Sequence, residues 1–105
     1  MTSFNRISVE QAKNLIDTQA VSIVDVRDPV SFQNGHIEGA TLLDNNTANH
    51  FIEHTAFDNA IIVYCYHGNS SQQASQFLVE QGFTEVYSVD GGFEQWRQMY
   101  AASTQ

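Results

Sequence analysis

Short apolar runs alternate along the chain with stretches whose apolar residues recur every three or four positions. The runs Val21–Val24, Ile61–Tyr64 and Val86–Val89 are typical of strands buried on both faces of a sheet. Ala40–Leu43 is a further strand candidate. The recurring positions between the runs fall on one face of a helix. This alternation predicts an α/β fold with a mainly parallel central sheet and helices on both of its faces.

The first predicted helix follows Ser8, which forms a capping-box pattern with Gln11. A short second helix is predicted at Ala48–His54, and the last helix follows the turn at Gly91-Gly92. The apolar residues expected on buried faces are Val9, Ala12, Leu15 and Ile16 in the first helix, and Phe93 and Trp96 in the last.

The helix expected after Ile61–Tyr64 has signals at both ends. Ser70 or Ser71 can cap its start with a hydroxyl, and Gly82 is a typical residue just beyond a helix end. The spacing predicts that this helix buries Ala74, Phe77 and Leu78.

The length of 105 residues, without repeats or linkers, predicts one domain at residues 1–105. No apolar stretch approaches the ~18 residues of a membrane span, and the first residues lack the apolar core of a secretory signal. Because Cys65 is the single cysteine, no internal disulfide can form, and a cytoplasmic, reducing compartment is expected. Neither a cofactor nor a metal is expected.

The chain is acidic, with 12 Asp and Glu against 4 Lys and Arg and a formal net charge of −8. This balance argues against nucleic acid and anionic membranes as partners, because both bind basic patches. An anionic substrate must therefore be held by local donors, since the overall field repels it.

Polar residues follow three of the predicted strands, namely Asp25, Cys65 and Asp90. Parallel sheets bind ligands beyond the carboxyl ends of their strands. Among these three residues only Cys65 is a nucleophile, so it is the candidate catalytic residue.

The segment after Cys65 runs from a strand end directly into a helix start, and it contains Gly68 at a position where the chain must curl. A tight loop of this kind directs successive N–H groups at the sulfur, and the helix start adds its free amides. Both effects lower the pKa of a thiol, and the thiolate is the reactive form. The loop contains no Lys or Arg, so amides are expected to supply most of the stabilisation.

Two alternatives stay open at this stage. Cys65 can instead be a small buried residue at a strand end. His67 can act as a base or a donor, or its ring can simply be solvated.

Three segments resemble the rhodanese family and together span nearly the whole chain. Asp25–Pro29, continuing to Phe32 and Gly35–Ala40, resembles the family's N-terminal signature, and Asp90–Trp96 resembles its C-terminal signature. The loop Cys65–Ser70 has the six positions found in sulfurtransferases of this family.

The resemblance implies a thiosulfate sulfurtransferase. The Cys65 thiolate would take the outer sulfur of thiosulfate, release sulfite, and pass the persulfide sulfur to cyanide or to a thiol. A small thioredoxin-like dithiol protein is a plausible acceptor in this family. The resemblance also implies a substrate cradle made by the backbone of Tyr66, His67, Gly68, Asn69, Ser70 and Ser71.

One position departs from the family pattern. Many relatives have Glu where this chain has Ser31, and that acid can pair with the arginine that matches Arg27. Arg27 is therefore expected to pair with Asp28 or Asp25, or to stay free near the site. A scaffold role in turns or core packing is expected for His36, Gly39, Gly91, Gly92 and Trp96.

Three other functions compete with sulfur transfer. His50–His54 contains the H-x-x-E-H pattern of inverted zinc peptidases, but zinc needs a third protein ligand, and a solvated helix face is favoured. Cysteine phosphatases and arsenate reductases also place a cysteine in a strand–loop–helix turn, but the arginine of Cys-x5-Arg would fall at Ser71. The third competing function is that of a rhodanese-like domain that only binds proteins. Such domains commonly lack the cysteine, which this chain has at Cys65.

Overall fold

The computed structural model describes residues 3–104, which form five strands and five helices. Neither the strand at Asn5–Ile7 nor the helix at Pro29–Asn34 is predicted from sequence, because 3-residue and 6-residue elements are too short to show a period. The strands are β1 (Asn5–Ile7), β2 (Val21–Asp25), β3 (Thr41–Leu42), β4 (Ala60–Tyr64) and β5 (Val86–Val89). The helices are α1 (Val9–Thr18), α2 (Pro29–Asn34), α3 (Ala48–His54), α4 (Ser70–Glu80) and α5 (Gly92–Met99).

The five strands form one sheet in the order β1-β5-β4-β2-β3, and every neighbouring pair is parallel. This confirms the predicted α/β fold. The central strand is β4, whose residues Ala60–Tyr64 are all buried. In the register of β2 and β4, Asp25 lies beside Tyr64.

Helices cover both faces of the sheet, as predicted. Ile62 and Tyr64 of β4 point to the face covered by α1 and α5, while Ile61 and Val63 point to the face covered by α3 and α4. The alternation along β4 follows from the two-residue period of a strand, which sends successive side chains to opposite faces. Because both faces of the sheet are buried at β4, this strand needs a continuous run of apolar residues.

The capping box that starts α1 is confirmed. The Ser8 hydroxyl accepts from the Gln11 amide at 3.1 Å, and the Gln11 side chain accepts from the Ser8 amide at 2.8 Å. The predicted end of α4 at Gly82 is confirmed as well. The amides of Gly82 and Phe83 donate to the carbonyls of Val79 and Leu78, which is a Schellman motif. No helix within residues 3–104 is long and apolar enough to cross a membrane.

The predicted cap at the start of α4 is wrong. Asn69 occupies the cap position and makes no side-chain capping bond. Ser70 is the first helical residue, and Ser71 lies fully buried in the first turn. The Ser71 hydroxyl bonds to side chains beneath the helix instead, which is why it does not cap.

The predicted burial of Phe77 is also wrong, because this ring is 40% exposed. The buried face of α4 is formed by Ser71, Ser75, Leu78 and Val79, with Ala74 only half-buried. Ser71 and Ser75 are small, so they let the helix lie close to β4 and β5. The prediction from hydrophobic spacing chose the wrong helix face because it treats serine as a surface residue.

Candidate active site

Cys65 directly follows the central strand β4 and is 5% exposed. Asp25 pairs with Tyr64 across β2 and β4, and Val63 pairs with Ser88 across β4 and β5. The chain therefore leaves these strands at the same edge of the sheet. The structure places the candidate nucleophile where parallel sheets bind ligands.

The loop after Cys65 curls around the sulfur. The amide of Gly68 donates to Cys65 Sγ at 3.1 Å, and Ser71 Oγ lies 3.4 Å from Sγ. Burial is the largest influence and by itself raises the pKa of Cys65. Hydrogen bonds from the Ser71 hydroxyl and from the amides of His67, Gly68 and Ser71 outweigh it, so the pKa lies below the usual value of a thiol.

Gly68 has φ +100°, a conformation that only glycine adopts without strain. A Cβ here would also lie 3.0 Å from the Gly91 nitrogen and 3.2 Å from the Val89 carbonyl. The Gln72 side chain fixes the turn by donating to the Gly68 carbonyl at 2.9 Å. Both the curl and the close approach to β5 therefore require glycine.

The amino end of α5 holds the first part of the loop. The amides of Phe93 and Glu94 donate to the carbonyls of Cys65 and Tyr66 at 2.9 and 3.0 Å. Because the Tyr66 carbonyl points to α5, the His67 amide that follows it points the other way, toward the sulfur. A Cβ on Gly92 would lie 2.5 Å from the Cys65 carbonyl, so this packing has no room for a side chain. Sequence predicts a turn at Gly91-Gly92 but not this contact.

Ser88 is a member of the site that sequence does not identify. Its hydroxyl lies 2.8 Å from Ser71 Oγ, and both serines are fully buried. A polar residue inside the apolar run Val86–Val89 is the signal that points to it, because a buried hydroxyl needs a partner.

The other predicted cradle residues lie at the surface of the loop. Tyr66, His67, Asn69 and Ser70 are exposed. The His67 ring lies against the Tyr66 ring, with 4.9 Å between centroids. The amide of His67, rather than its ring, is therefore the group that bonds to the sulfur.

Arg27 pairs with Asp25, one of the two partners proposed for it. Its guanidinium donates to both Asp25 oxygens, with Nη2 at 2.7 Å from Oδ2, and the two side chains are 5% and 0% exposed. Burial by itself lowers the pKa of Arg27, but the hydrogen bonds and charge attraction to Asp25 outweigh burial, so the pKa lies above its usual value. The guanidinium also lies 4.1 Å from the centroid of the Phe93 ring. Asp28 instead caps α2 and accepts from Ser31.

The two histidines of the zinc-peptidase pattern stack on each other in α3, with 4.0 Å between ring centroids. Nδ1 of His54 donates to the His50 carbonyl at 2.8 Å. Within residues 3–104, no group of three or more His, Cys, Asp or Glu side chains is placed to hold a metal ion. Both rings line a cavity of about 660 Å³ beside residues 21–23, at the other end of β2 from Asp25.

Comparison with known proteins places this α/β domain and its cysteine loop in a family. The family model of the rhodanese-like domain matches residues 8–99, and the chain belongs to the rhodanese family. It is 53% identical over 104 residues to the thiosulfate sulfurtransferase GlpE of Ectopseudomonas mendocina (strain ymp), covering 99% of this chain and 94% of the relative. It is 50% identical over 101 residues to GlpE of Shewanella oneidensis (strain MR-1), covering 96% and 100%.

A solved structure has the same fold. The rhodanese-like domain protein from Staphylococcus aureus superposes with a TM-score of 0.82 over 97% of this chain and 99% of that chain. At 23% identity the likeness concerns the fold alone.

Proposed function

We propose that the thiolate of Cys65 takes the outer sulfur of thiosulfate and carries it as a persulfide. The chain is a sulfurtransferase enzyme, as its full-length relatives at about half identity are. The position of the Cys65 sulfur supports its role as the carrier: it lies at the end of the central strand, surrounded by N–H donors.

The reaction has two displacements. The Cys65 thiolate attacks the outer sulfur of thiosulfate, and the sulfur–sulfur bond breaks so that sulfite leaves with the electron pair. Cyanide or a thiolate then attacks the outer sulfur of the persulfide, and the Cys65 thiolate leaves. Covalent capture splits one difficult transfer into two easier steps.

The cradle of Tyr66–Ser71 binds the negative charge of the donor and of the persulfide through backbone amides. The exposed start of α4 and the curl at Gly68 supply these donors, since the first amides of a helix lack internal partners. No side-chain cation of the loop is needed.

The acceptor must come from outside the chain. Cys65 is free and is the single cysteine, so no second thiol of the protein can attack its persulfide. A thioredoxin-like dithiol protein meets this need. Its first thiolate takes the sulfur as a persulfide, and its second thiolate attacks the inner sulfur, so that a disulfide forms and the outer sulfur leaves as hydrogen sulfide. A free thiol also fits a reducing, cytoplasmic location.

Thiocyanate formation from thiosulfate and cyanide tests the proposal, with p-nitrophenyl phosphate hydrolysis measured in parallel. Cys65→Ser should abolish thiocyanate formation. The native protein should hydrolyse the phosphate ester negligibly, because Ser71 carries no charge at the position of the phosphatase arginine. Thiocyanate turnover that persists in Cys65→Ser, or cysteine-dependent phosphatase turnover at a matching rate, would overturn it.

A further inference from the structure

A group of buried serine hydroxyls lies behind Cys65, on the side away from solvent. Ser71 Oγ is 3.4 Å from Cys65 Sγ and 2.8 Å from Ser88 Oγ. Ser75, one turn further along α4, is equally buried, and within residues 3–104 its hydroxyl has no hydrogen-bond partner. Ser71 and Ser88 thus form a continuous chain to the sulfur, while Ser75 lies outside it.

The direction of hydrogen bonding in this chain depends on the charge of the sulfur. A thiol can donate its proton to Ser71, which then donates to Ser88. A thiolate has no proton to give, so Ser71 must donate to the sulfur, and its oxygen is then free to accept from Ser88. A hydroxyl that accepts one hydrogen bond becomes a stronger donor in the next, because hydrogen bonds in a chain polarise one another.

We propose that Ser88 is a positioning residue of the sulfur-carrying site: its hydroxyl donates to Ser71 Oγ and so directs the Ser71 proton at the Cys65 sulfur. Ser88 itself does not touch the sulfur, and its effect passes through Ser71. Its place on β5 makes it rigid, since Ser88 pairs with Val63 in the sheet.

This arrangement favours both displacements of the proposed reaction, on which this step rests. In the first, it increases the fraction of Cys65 present as the nucleophilic thiolate. In the second, the same thiolate is the leaving group, and a leaving thiol of lower pKa departs faster.

The contribution of Ser88 is separable from those of the charged groups around the loop. Asp25 is already paired with Arg27, Asp90 with Arg6, and Glu94 with Arg97. A substitution of Ser88 leaves all of these side chains unchanged. The titratable or charged groups on the loop, on β1 and on the adjoining ends of β2, β4, β5 and α5 are Arg6, Asp25, Arg27, Tyr64, Tyr66, His67, Asp90, Glu94 and Arg97.

Ser88→Ala tests the proposal by thiolate absorbance, which is unambiguous in a protein with one cysteine. We expect the pKa of Cys65 to rise by about 0.5, the equivalent of part of one hydrogen bond. Alkylation by iodoacetamide below that pKa should slow about threefold and recover at high pH. Ser75→Ala is the matched control, because it removes an equally buried hydroxyl from outside the chain, and it should leave the pKa unchanged.

A double-mutant cycle tests whether Ser88 acts through Ser71. Ser88→Ala should have no further effect on the pKa of Cys65 in a Ser71→Ala background. Ser88→Thr and Ser88→Val form a second pair of nearly equal shape, so they isolate the hydroxyl even when Ser88→Ala folds poorly; only Thr should keep the low pKa.

An unchanged pKa in Ser88→Ala, an equal rise in Ser75→Ala, or full additivity with Ser71→Ala would overturn the proposal. These titrations need no sulfur donor, so their failure is distinguishable from a failure of the proposed reaction.

Discussion

The loop around Cys65 contains no Lys or Arg. Hydrogen bonds, rather than a cationic side chain of the loop, therefore stabilise the Cys65 thiolate. The donors are three backbone amides and the hydroxyl of Ser71. The fold fixes the positions of these groups before any substrate binds, so only hydroxyl protons must turn when charge develops on the sulfur. The low pKa of the thiol is therefore a direct consequence of loop geometry.

The rate of Cys65 alkylation by iodoacetamide should show this low pKa. The thiolate is the reactive form, so the rate should rise with pH and level off above the pKa of Cys65, which the loop lowers. We expect the midpoint in the native protein to lie below that of the same protein unfolded in urea, whose thiol should titrate at about 8.5. A native midpoint equal to or above the unfolded one would contradict the assigned hydrogen bonds.

The buried pair of Asp25 and Arg27 should matter for stability far more than a surface pair. Asp25→Ala leaves Arg27 buried without its partner and should reduce the free energy of unfolding by about 3–5 kcal/mol. Asp17→Ala, which breaks the exposed pair with Lys13, should cost less than about 1 kcal/mol. Urea unfolding measures both changes, and equal costs would contradict the structural role of the buried pair.

At the residue scale, sequence predicts Cys65 and the loop but not their supports. A single cysteine between an apolar run and a helix start is visible in the sequence. The Ser88 hydroxyl is not, because its role depends on a contact with Ser71 across two elements. The sequence predicts that Ser70 or Ser71 caps α4; the Ser71 hydroxyl instead bonds to the sulfur, which explains why it does not cap the helix.

At the scale of elements, the site is assembled by β4, α4 and α5 together. The strand delivers Cys65, the start of α4 supplies donors, and the start of α5 turns the Cys65 and Tyr66 carbonyls away from the sulfur. The loop conformation is therefore set by a helix that follows it by more than twenty residues in the chain.

Gly92→Ala should disable the site through this contact. Its Cβ would lie 2.5 Å from the Cys65 carbonyl, so either α5 or the loop must move. Gly39→Ala is the matched control, since it has a similarly positive φ of +85° but nothing within 4 Å of its Cβ. Each should lose about 1 kcal/mol of stability from backbone strain. Thiocyanate turnover should fall at least tenfold in Gly92→Ala alone; equal turnover in the two variants would count against the role of α5.

The limits of several elements follow directly from the sequence. The predictions for α3 and β5 match the observed bounds, and β4 begins one residue earlier than predicted. The prediction for the buried face of α4 is wrong because two serines face the sheet. A hydrophobic pattern cannot distinguish a buried serine from a serine exposed to water.

At the scale of the whole molecule, the field opposes an anionic substrate. Each of the four Lys and Arg side chains is already paired with a carboxylate, as Arg6–Asp90, Lys13–Asp17, Arg27–Asp25 and Arg97–Glu94. The remaining acidic side chains account for the net charge of −8. Thiosulfate is a dianion, so its approach should be slowed by repulsion.

Moderate salt should therefore raise kcat/KM for thiosulfate, by about twofold up to physiological ionic strength, because ions screen the repulsion. A salt of weakly binding anions avoids competition for the cradle. Alkylation supplies the control: salt should speed the reaction of Cys65 with anionic iodoacetate and leave that with neutral iodoacetamide unchanged. A steady fall in kcat/KM without anion competition would mean that local cations dominate.

The architecture as a whole was predictable because a parallel sheet buried on both faces requires continuous apolar strands. That requirement marks β2, β4 and β5 in the sequence. The edge strand β1 carries no such mark, since Asn5 and Arg6 are exposed and only Ile7 is buried. Its position beside β5 follows from tertiary pairing alone.

Intact-mass measurement after treatment with thiosulfate tests the central claim most directly. The native protein should gain the mass of one sulfur atom, and cyanide should remove that mass while thiocyanate appears in equal amount. Cys65→Ser, which keeps the size of the side chain but removes the sulfur nucleophile, should show no gain. A native protein that gains no sulfur, or a Cys65→Ser variant that gains as much, would contradict sulfur transfer through Cys65.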